Sequence, residues 1–290
     1  MTAVLQNLLQ QTGLGERWQL SPLSGGCIGS SFSAVNEHHQ RFFIKHLHNP
    51  PSNFFTAEAA GLKALSGAGI IQTPTVCAVG PCLLVLELIE TCQPTEQHWQ
   101  QLGHQLAELH RQPMPSFGFS HHTYCGLSEQ TNRQDQNGFR FFAEQRLLPQ
   151  GKRAYQAGLL DRGMLKRLER ICQRLEDWIP PQSAVLIHGD LWSGNVLFGK
   201  RARHSDERSQ PFLIDPAAYY GWAEADLAMT RLFGGFYPTF YSAYLETNPL
   251  QSGWQERQPL YNLYHLLNHL NLFGLSYQAS VAEVLQRYQD

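Results

Sequence analysis

The stretch His188-Gly189-Asp190-Leu191-Trp192-Ser193-Gly194-Asn195, with Ile214-Asp215-Pro216 after it, decides the reading of this chain. Asp190 and Asn195 stand five positions apart, an Asp-x-x-x-x-Asn spacing. Each acid follows an apolar run, AVLI before His188 and FLI before Asp215, so both are predicted at strand ends beside a cleft. Phosphoryl transfer needs such a set: a carboxylate orients the attacking hydroxyl and accepts its proton. A nearby amide oxygen and a second carboxylate then serve as ligands for magnesium. Taken singly, Asp190 and Asp215 read as turn or cap residues and Asn195 as a loop amide. Spacing, strand context and chain order together favour the chemistry.

The upstream segment carries a second set. Gly25-Gly26-Cys27-Ile28-Gly29 lies in a turn between possible strands, where backbone N–H groups can approach phosphate closely. Lys45 ends the strand-like run FFIK, and Glu58 sits on the helix predicted over 54–66. Loop, lysine, helical glutamate, Asp-x-x-x-x-Asn and a further Asp follow one another in the order of a kinase. An amphipathic helix is predicted over 1–19, strands over 31–35, 41–46, 73–79 and 82–88, and long helices beyond 93. Short buried strands are predicted at 184–188, 196–198 and 212–214, and 199–211 reads as a solvated, charge-rich hairpin or loop. The expected architecture is α+β and bilobal. A small β-rich lobe with one long helix spans 1–92, and a larger, mostly helical lobe spans 93–290.

Two lookalikes fail. GNVLFGK at 194–200 lacks the Ser or Thr that would complete a Walker A loop, and its interior reads as strand. His265 and His269 have the i,i+4 spacing of a zinc-protease helix, but Leu266 stands where that motif has Glu, so both read as packing or hydrogen-bonding residues.

Composition narrows the field. With 42% hydrophobic residues in 290, the chain can bury a sizeable core. Lys+Arg of 22 against Asp+Glu of 24 leaves a net charge of −2, so phosphate must be held by a local site rather than by a basic surface. That balance argues against nucleic-acid or anionic-membrane partners. Six cysteines without a Cys-x-x-Cys pair argue against structural zinc and against a disulfide scaffold. The N-terminal stretch lacks the basic and apolar regions of a signal peptide, and the apolar run 82–89 is short for a membrane span. A cytoplasmic, reducing location is expected.

With these residues placed, the chain resembles the fructosamine (ketosamine-3-) kinase family, in the aminoglycoside-phosphotransferase-like branch of the protein-kinase fold. The resemblance runs through SGGCIGSSF, FFIK, AEAAGLKAL, LVLELIE, LGHQLAELH, FGF, YCGLSEQTN, FFAEQRLL, IHGDLWSGN, LIDPAAYYGWAEADLAMTRLFGGF and LYHLLNHLNLFG. It implies ATP-dependent phosphorylation of the 3-hydroxyl of ribulosamine, erythrulosamine or fructosamine adducts on free amines or protein lysines, leading to deglycation. By the same carry-over Asp190 is the base, and Asn195 and Asp215 hold Mg²⁺. Lys45 meets the phosphates with Glu58 as its partner and with Gly25, Gly26 and Cys27 in the phosphate loop. The backbone of Glu87, Leu88 and Ile89 takes adenine, and Trp192 shapes the sugar pocket or simply packs in the core.

Departures from the protein-kinase pattern carry their own expectations. Gly189 replaces the Arg of His-Arg-Asp, and Pro216-Ala217 replaces Phe-Gly, so the phosphate-sensing and Phe-packing controls of protein kinases are absent. The resemblance includes the loop cysteine Cys27 and implies a redox switch, with the protein a monomer or a redox-linked homodimer. Gln130 and Asn132 resemble a family stretch near the substrate, although polar loop residues are ordinarily solvated. Alternatives are another small-molecule kinase of the aminoglycoside or choline kinase-like fold, or a nucleotide-binding pseudokinase. The acids Glu224, Asp226, Glu246 and Glu256 are scattered among Tyr and Phe, which suits a neutral sugar with one amine better than a polycation.

Overall fold

Period-two burial builds the N-terminal sheet and aims its lysine. The computed structural model describes residues 2–23, 29–203 and 207–288. Helix α1 (Thr2–Gln10) is followed by β1 (Trp18–Leu23), β2 (Ser30–Asn36), β3 (Arg41–His46), α2 (Phe54–Gly67), β4 (Val76–Val79) and β5 (Leu83–Glu87). The five strands form one antiparallel sheet in the order β1-β2-β3-β5-β4. Phe32 and Ala34 of β2 and Phe42 and Ile44 of β3 face Leu5, Leu9 and Trp18 in one core. The alternate face of the sheet packs against α2, where Phe55, Ala59 and Leu62 join Leu84 and Leu86. Lys45 lies on that second face, between the buried Ile44 and His46, and so points toward α2.

Strand β6 (Ile89–Thr91) then pairs with β11 (Val196–Arg201), which in turn pairs with β12 (Gln210–Leu213). Helix α3 (Glu96–His110) begins at a capping box, Thr95 Oγ1 accepting from His98 N and His98 Nδ1 accepting from Thr95 N. Short strands β7 (Pro113–Met114), β8 (Thr123–Cys125) and β9 (Ser128–Gln130) precede α4 (Gly138–Phe142), a π-helical turn (Ala143–Leu147), α5 (Leu148–Gln156) and α6 (Arg162–Gln173). Strand β10 (Ala184–Ile187) sits between β7 and β13 (Tyr219–Gly221). Helices α7 (Ala223–Leu232), α8 (Pro238–Thr247), α9 (Trp254–Phe273) and α10 (Gln278–Arg287) complete the larger lobe. One continuous core fills it and reaches Leu65 of α2 and Ile71 just beyond that helix.

Helix α3 can lie close to α8 because Gly103 has no side chain. A Cβ there would come within 2.3 Å of the Phe240 carbonyl oxygen and 2.9 Å of Ala243 Cβ. Gly103→Ala is therefore expected to cost about 1–3 kcal/mol by overpacking. The lower midpoint of a denaturant titration is the measurement that checks it.

The helix expected over 1–19 stops at Gln10. Gly13 takes a positive φ of 72° that ends the helical path, and Trp18 opens β1 by pairing with Asn36. No helix among the described residues is long and apolar enough to cross a membrane.

Candidate active site

Lys45 meets both its expected partner Glu58 and the expected metal ligand Asp215. Lys45 Nζ lies 2.6 Å from Glu58 Oε1 on α2 and 2.5 Å from Asp215 Oδ1, which follows β12 in the other lobe. Burial works against the lysine charge, but Asp215 and Glu58 outweigh it and hold the ammonium above its ordinary pKa. Burial pushes the Glu58 carboxyl up, while Lys45 pulls it down. Asp215 has a φ of 55°, a left-handed conformation uncommon outside glycine. Gly61 of α2 seats the following Pro216, with a Cβ position 3.1 Å from its ring.

His188 ties the two acidic loops together. Its Nδ1 accepts from the Asp190 backbone N–H at 3.3 Å, so in the neutral ring Nε2 carries the proton and donates to the Ile214 carbonyl at 2.9 Å. Burial lowers the His188 pKa and so favours that neutral form. Gly189 has a φ of 80°, and a Cβ there would lie 2.3 Å from the Ala217 carbonyl oxygen. The Arg of His-Arg-Asp would not fit at this position, which explains its replacement.

Asp190 has its pKa raised to about 7, first by burial and then by the like charges of Asp215 and Asp226. The Asn195 amide nitrogen donates to the Asp190 carbonyl oxygen at 2.8 Å, with the carboxylate at 3.4 Å. That fixes the amide so that its oxygen is left for another partner. The Ile214 N–H donates to the Asn195 backbone carbonyl at 3.1 Å, which ties the two segments together, and the Asp215 carboxylate is partly exposed. An amide oxygen and a carboxylate are hard-oxygen donors of the kind Mg²⁺ takes, so the residue types fit the ion.

Sequence reasoning missed the group that holds this loop. Asp226, counted above only as a scattered acid, is 1% exposed and accepts from the His188 N–H at 2.7 Å and the Gly189 N–H at 2.9 Å. His110 Nε2 of α3 approaches it at 3.4 Å, its other nitrogen meeting the Tyr244 hydroxyl at 2.9 Å. Burial raises the Asp226 pKa, but the contacts with His110, His188 and Gly189 outweigh it, and the net pKa is low. The available signal was the motif DLAMT, which places an acid on a helix otherwise facing the core.

Another scattered acid also proves structural. Glu224 is 2% exposed and grips Arg257 of α9 through two bonds of 2.8 and 2.6 Å. Gln130 and Asn132 are both buried, which corrects the solvated reading. Gln130 donates to Thr123 and the Ala217 carbonyl and accepts from the Tyr264 hydroxyl. Asn132 joins Thr123, the His121 carbonyl and the fully buried Arg146. Gln130 thereby braces the segment after Asp215 at Ala217.

The remaining sequence candidates are placed as follows. Glu87 is buried and bonded to Thr75 and Arg201, while the Leu88 carbonyl accepts from Ala202 N and Ile89 begins β6. Trp192 is half-buried and leads the short turn Ser193–Asn195. Gly25, Gly26 and Cys27 lie outside the described residues. Among those described, one trio of metal-ligating type occurs: the donor atoms of Cys125, Asp190 and His265 lie within 4.8 Å of one another. Its sulfur, nitrogen and oxygen donors do not suit magnesium.

Comparison with known proteins gives the family. The family model described as fructosamine kinase matches residues 1–290. A probable ketoamine kinase of Enterococcus faecium is 36% identical over 273 residues, 92% of this chain and 94% of that one. A chloroplastic protein-ribulosamine 3-kinase of Oryza sativa subsp. japonica is 33% identical over 281 residues, 93% of this chain and 78% of that one. A crystal structure from Thermobifida fusca described as "putative fructosamine-3-kinase" superposes with a TM-score of 0.84 at 32% identity, over 92% of each chain. The α+β, bilobal, protein-kinase-like architecture is shared with it, and the chain belongs to the fructosamine kinase family.

Proposed function

We propose that the protein transfers the γ-phosphoryl group of ATP to the 3-hydroxyl of a ketosamine, an amine-linked ketose such as a ribulosamine, erythrulosamine or fructosamine. The observation that carries this reading is the junction at Lys45, whose Nζ meets Glu58 in its own lobe and Asp215 from the other. An ammonium held between two carboxylates marks the place where phosphate oxygens and a divalent cation would exchange into the same contacts. The relatives named above supply the substrate class.

In this reading residues 1–92 cradle the nucleotide and 93–290 carry the sugar and the catalytic loop. The Glu87–Ile89 backbone takes adenine, Lys45 holds phosphate oxygens with Glu58 keeping it in place, and Gly25, Gly26 and Cys27 belong to the phosphate loop. Asp190 orients the sugar hydroxyl and receives its proton as the oxygen attacks. Asn195 and Asp215 would hold Mg²⁺, which neutralises charge developing on the phosphates. Trp192 shapes the sugar pocket. The 3-phosphorylated adduct then breaks down and frees the amine, a deglycation that suits a cytoplasmic repair enzyme acting on small adducts or protein lysines.

A polycationic substrate fits poorly, because Glu224 and Asp226 are already engaged by Arg257 and by the catalytic-loop backbone. The test is direct. Purified protein with Mg-ATP is expected to release one ADP per ribulosamine or fructosamine consumed, with the phosphate on O3 by ³¹P NMR, and to stop when the divalent ion is chelated. No substrate-dependent ADP release from any ketosamine would overturn the reading.

A further inference from the structure

An aromatic row leads away from the catalytic base and out to the surface. Helix α9 presents His265, His269 and Phe273 at i, i+4 and i+8, one face of the helix. His265 Nδ1 lies 3.8 Å from Asp190 Oδ1, so this face starts over the base. His269 and Phe273 then follow at about 6 and 12 Å along the axis. The rings make an unbroken chain. Trp192 meets Phe233 edge-on at 6.3 Å, Phe233 meets His269 at 5.2 Å, and His269 meets Phe273 at 5.3 Å and Tyr277 at 5.1 Å.

The outer members of this row are not core residues. Phe233 is 43% exposed and Phe273 is 52% exposed, beside Leu275 at 61%. Phe233 is brought to the catalytic loop by Gly234-Gly235, both with positive φ, and a Cβ on Gly235 would lie 2.5 Å from Ser193 Oγ. A large apolar side chain exposed beside the catalytic loop, as Phe233 is after its two-glycine turn, and continued outward by exposed Phe273, is better explained by a ligand than by packing. The row is also uncharged. His269 Nδ1 bonds the His265 carbonyl at 2.7 Å, which makes that nitrogen the donor, and burial lowers the pKa of both histidines.

We propose that the row Phe233–His269–Phe273–Tyr277, which leads outward from Trp192 at the sugar, is the seat of the substituent on the ketosamine nitrogen. Through it the enzyme selects adducts whose amine bears an extended, uncharged alkyl stem, as a lysine side chain does. The proposal deepens the ketosamine reading and rests on it. In a ketosamine the nitrogen is two carbons from C3, about 5 Å from the reacting oxygen at ordinary bond lengths. With that oxygen at Asp190, the nitrogen falls near His269, one turn along α9. Its ammonium then meets ring faces and a neutral imidazole, where cation–π attraction is favourable. A four- to six-carbon stem reaches from there to Phe273 and Phe233. A compact or anionic substituent gains nothing from this surface.

The experiment is a substituent series on one sugar: the ketosamines of ammonia, methylamine, butylamine and hexylamine. In the wild-type protein kcat/KM is expected to rise about two- to fourfold per methylene, the amount apolar burial supplies, mainly through KM. Phe273→Ala and Phe233→Ala are expected to flatten the hexyl-to-methyl ratio, and Phe273→Leu to restore much of the slope. Because the ratio is internal to each variant, a loss of folded protein does not mimic the result. Turnover with a flat series in the wild type, or an unchanged ratio in both alanine variants, overturns the subsite alone. Absence of turnover with every member overturns the ketosamine reading and the subsite with it.

Discussion

Asp190→Asn is expected to lower kcat by about 10²–10⁴-fold, the range over which a positioned general base contributes. The substitution is isosteric, and the contact made by Asn195 to the Asp190 backbone carbonyl does not involve the changed group. The loop should therefore keep its shape, and Mg-ATP should still raise the melting temperature of the variant. What is lost is the ability to accept a proton. Asp190 is well matched to that task, because burial and then the like charges of Asp215 and Asp226 raise its pKa to about 7. A protonated carboxyl cannot receive the sugar proton, so activity falls as pH drops through this range. A cation on Asp215 cancels one like charge and moves the acid limb to lower pH. In Asp190→Asn that limb should vanish along with the turnover.

The same substitution should make the folded protein slightly more stable above neutral pH. A carboxyl whose folded-state pKa lies above its unfolded value is a group whose charge opposes folding once ionised. Replacing it by a neutral amide removes that opposition, an instance of the trade between activity and stability common at catalytic centres. A variant that loses both turnover and melting temperature would point to a structural role for Asp190 instead.

The part of the site carried by short, directional motifs was legible in the sequence. His188 to Asn195 and Ile214-Asp215 are local patterns, and the alternation in RFFIKH alone puts Lys45 on the face opposite Phe42 and Ile44. Segments that depend on distant partners were not legible. Val4, Leu5, Leu8 and Leu9 begin a helical pattern that Leu14 extends in sequence, yet the chain turns at Gly13 because Trp18 has a strand partner in Asn36. Strands of two or three residues such as β7 and β13 exist only because β10 lies between them. Gln130 and Asn132 read as loop polars, since nothing local announces Arg146, Thr123 and Tyr264 as their partners. Asp226 is the plainest case: its two backbone partners lie 38 and 37 residues away.

Asp226→Asn is accordingly the second substitution with a large expected effect. The carboxylate gives one oxygen to the His188 N–H and the other to the Gly189 N–H. An amide can serve only one of them, and its NH₂ group then faces a donor. Leaving a buried donor unpaired in place of a charge-assisted hydrogen bond costs about 1–3 kcal/mol. The pH dependence has a definite sign. Asp226 titrates below the ordinary carboxylate value when folded, so its stabilisation is present at neutral pH and is lost as pH falls through the acid range. The gap in melting temperature between wild type and Asp226→Asn should therefore narrow on acidification. Stability alone would not establish that the residue positions the catalytic loop. Well below its melting temperature the variant should also show kcat reduced about 10²-fold, the effect of a misplaced reactive group, with KM for ATP little changed. Asp226→Asn with wild-type kcat at low temperature would reduce Asp226 to a folding residue. Loss of kcat in the cold-stable protein would place it in the machinery that holds Asp190 over the sugar.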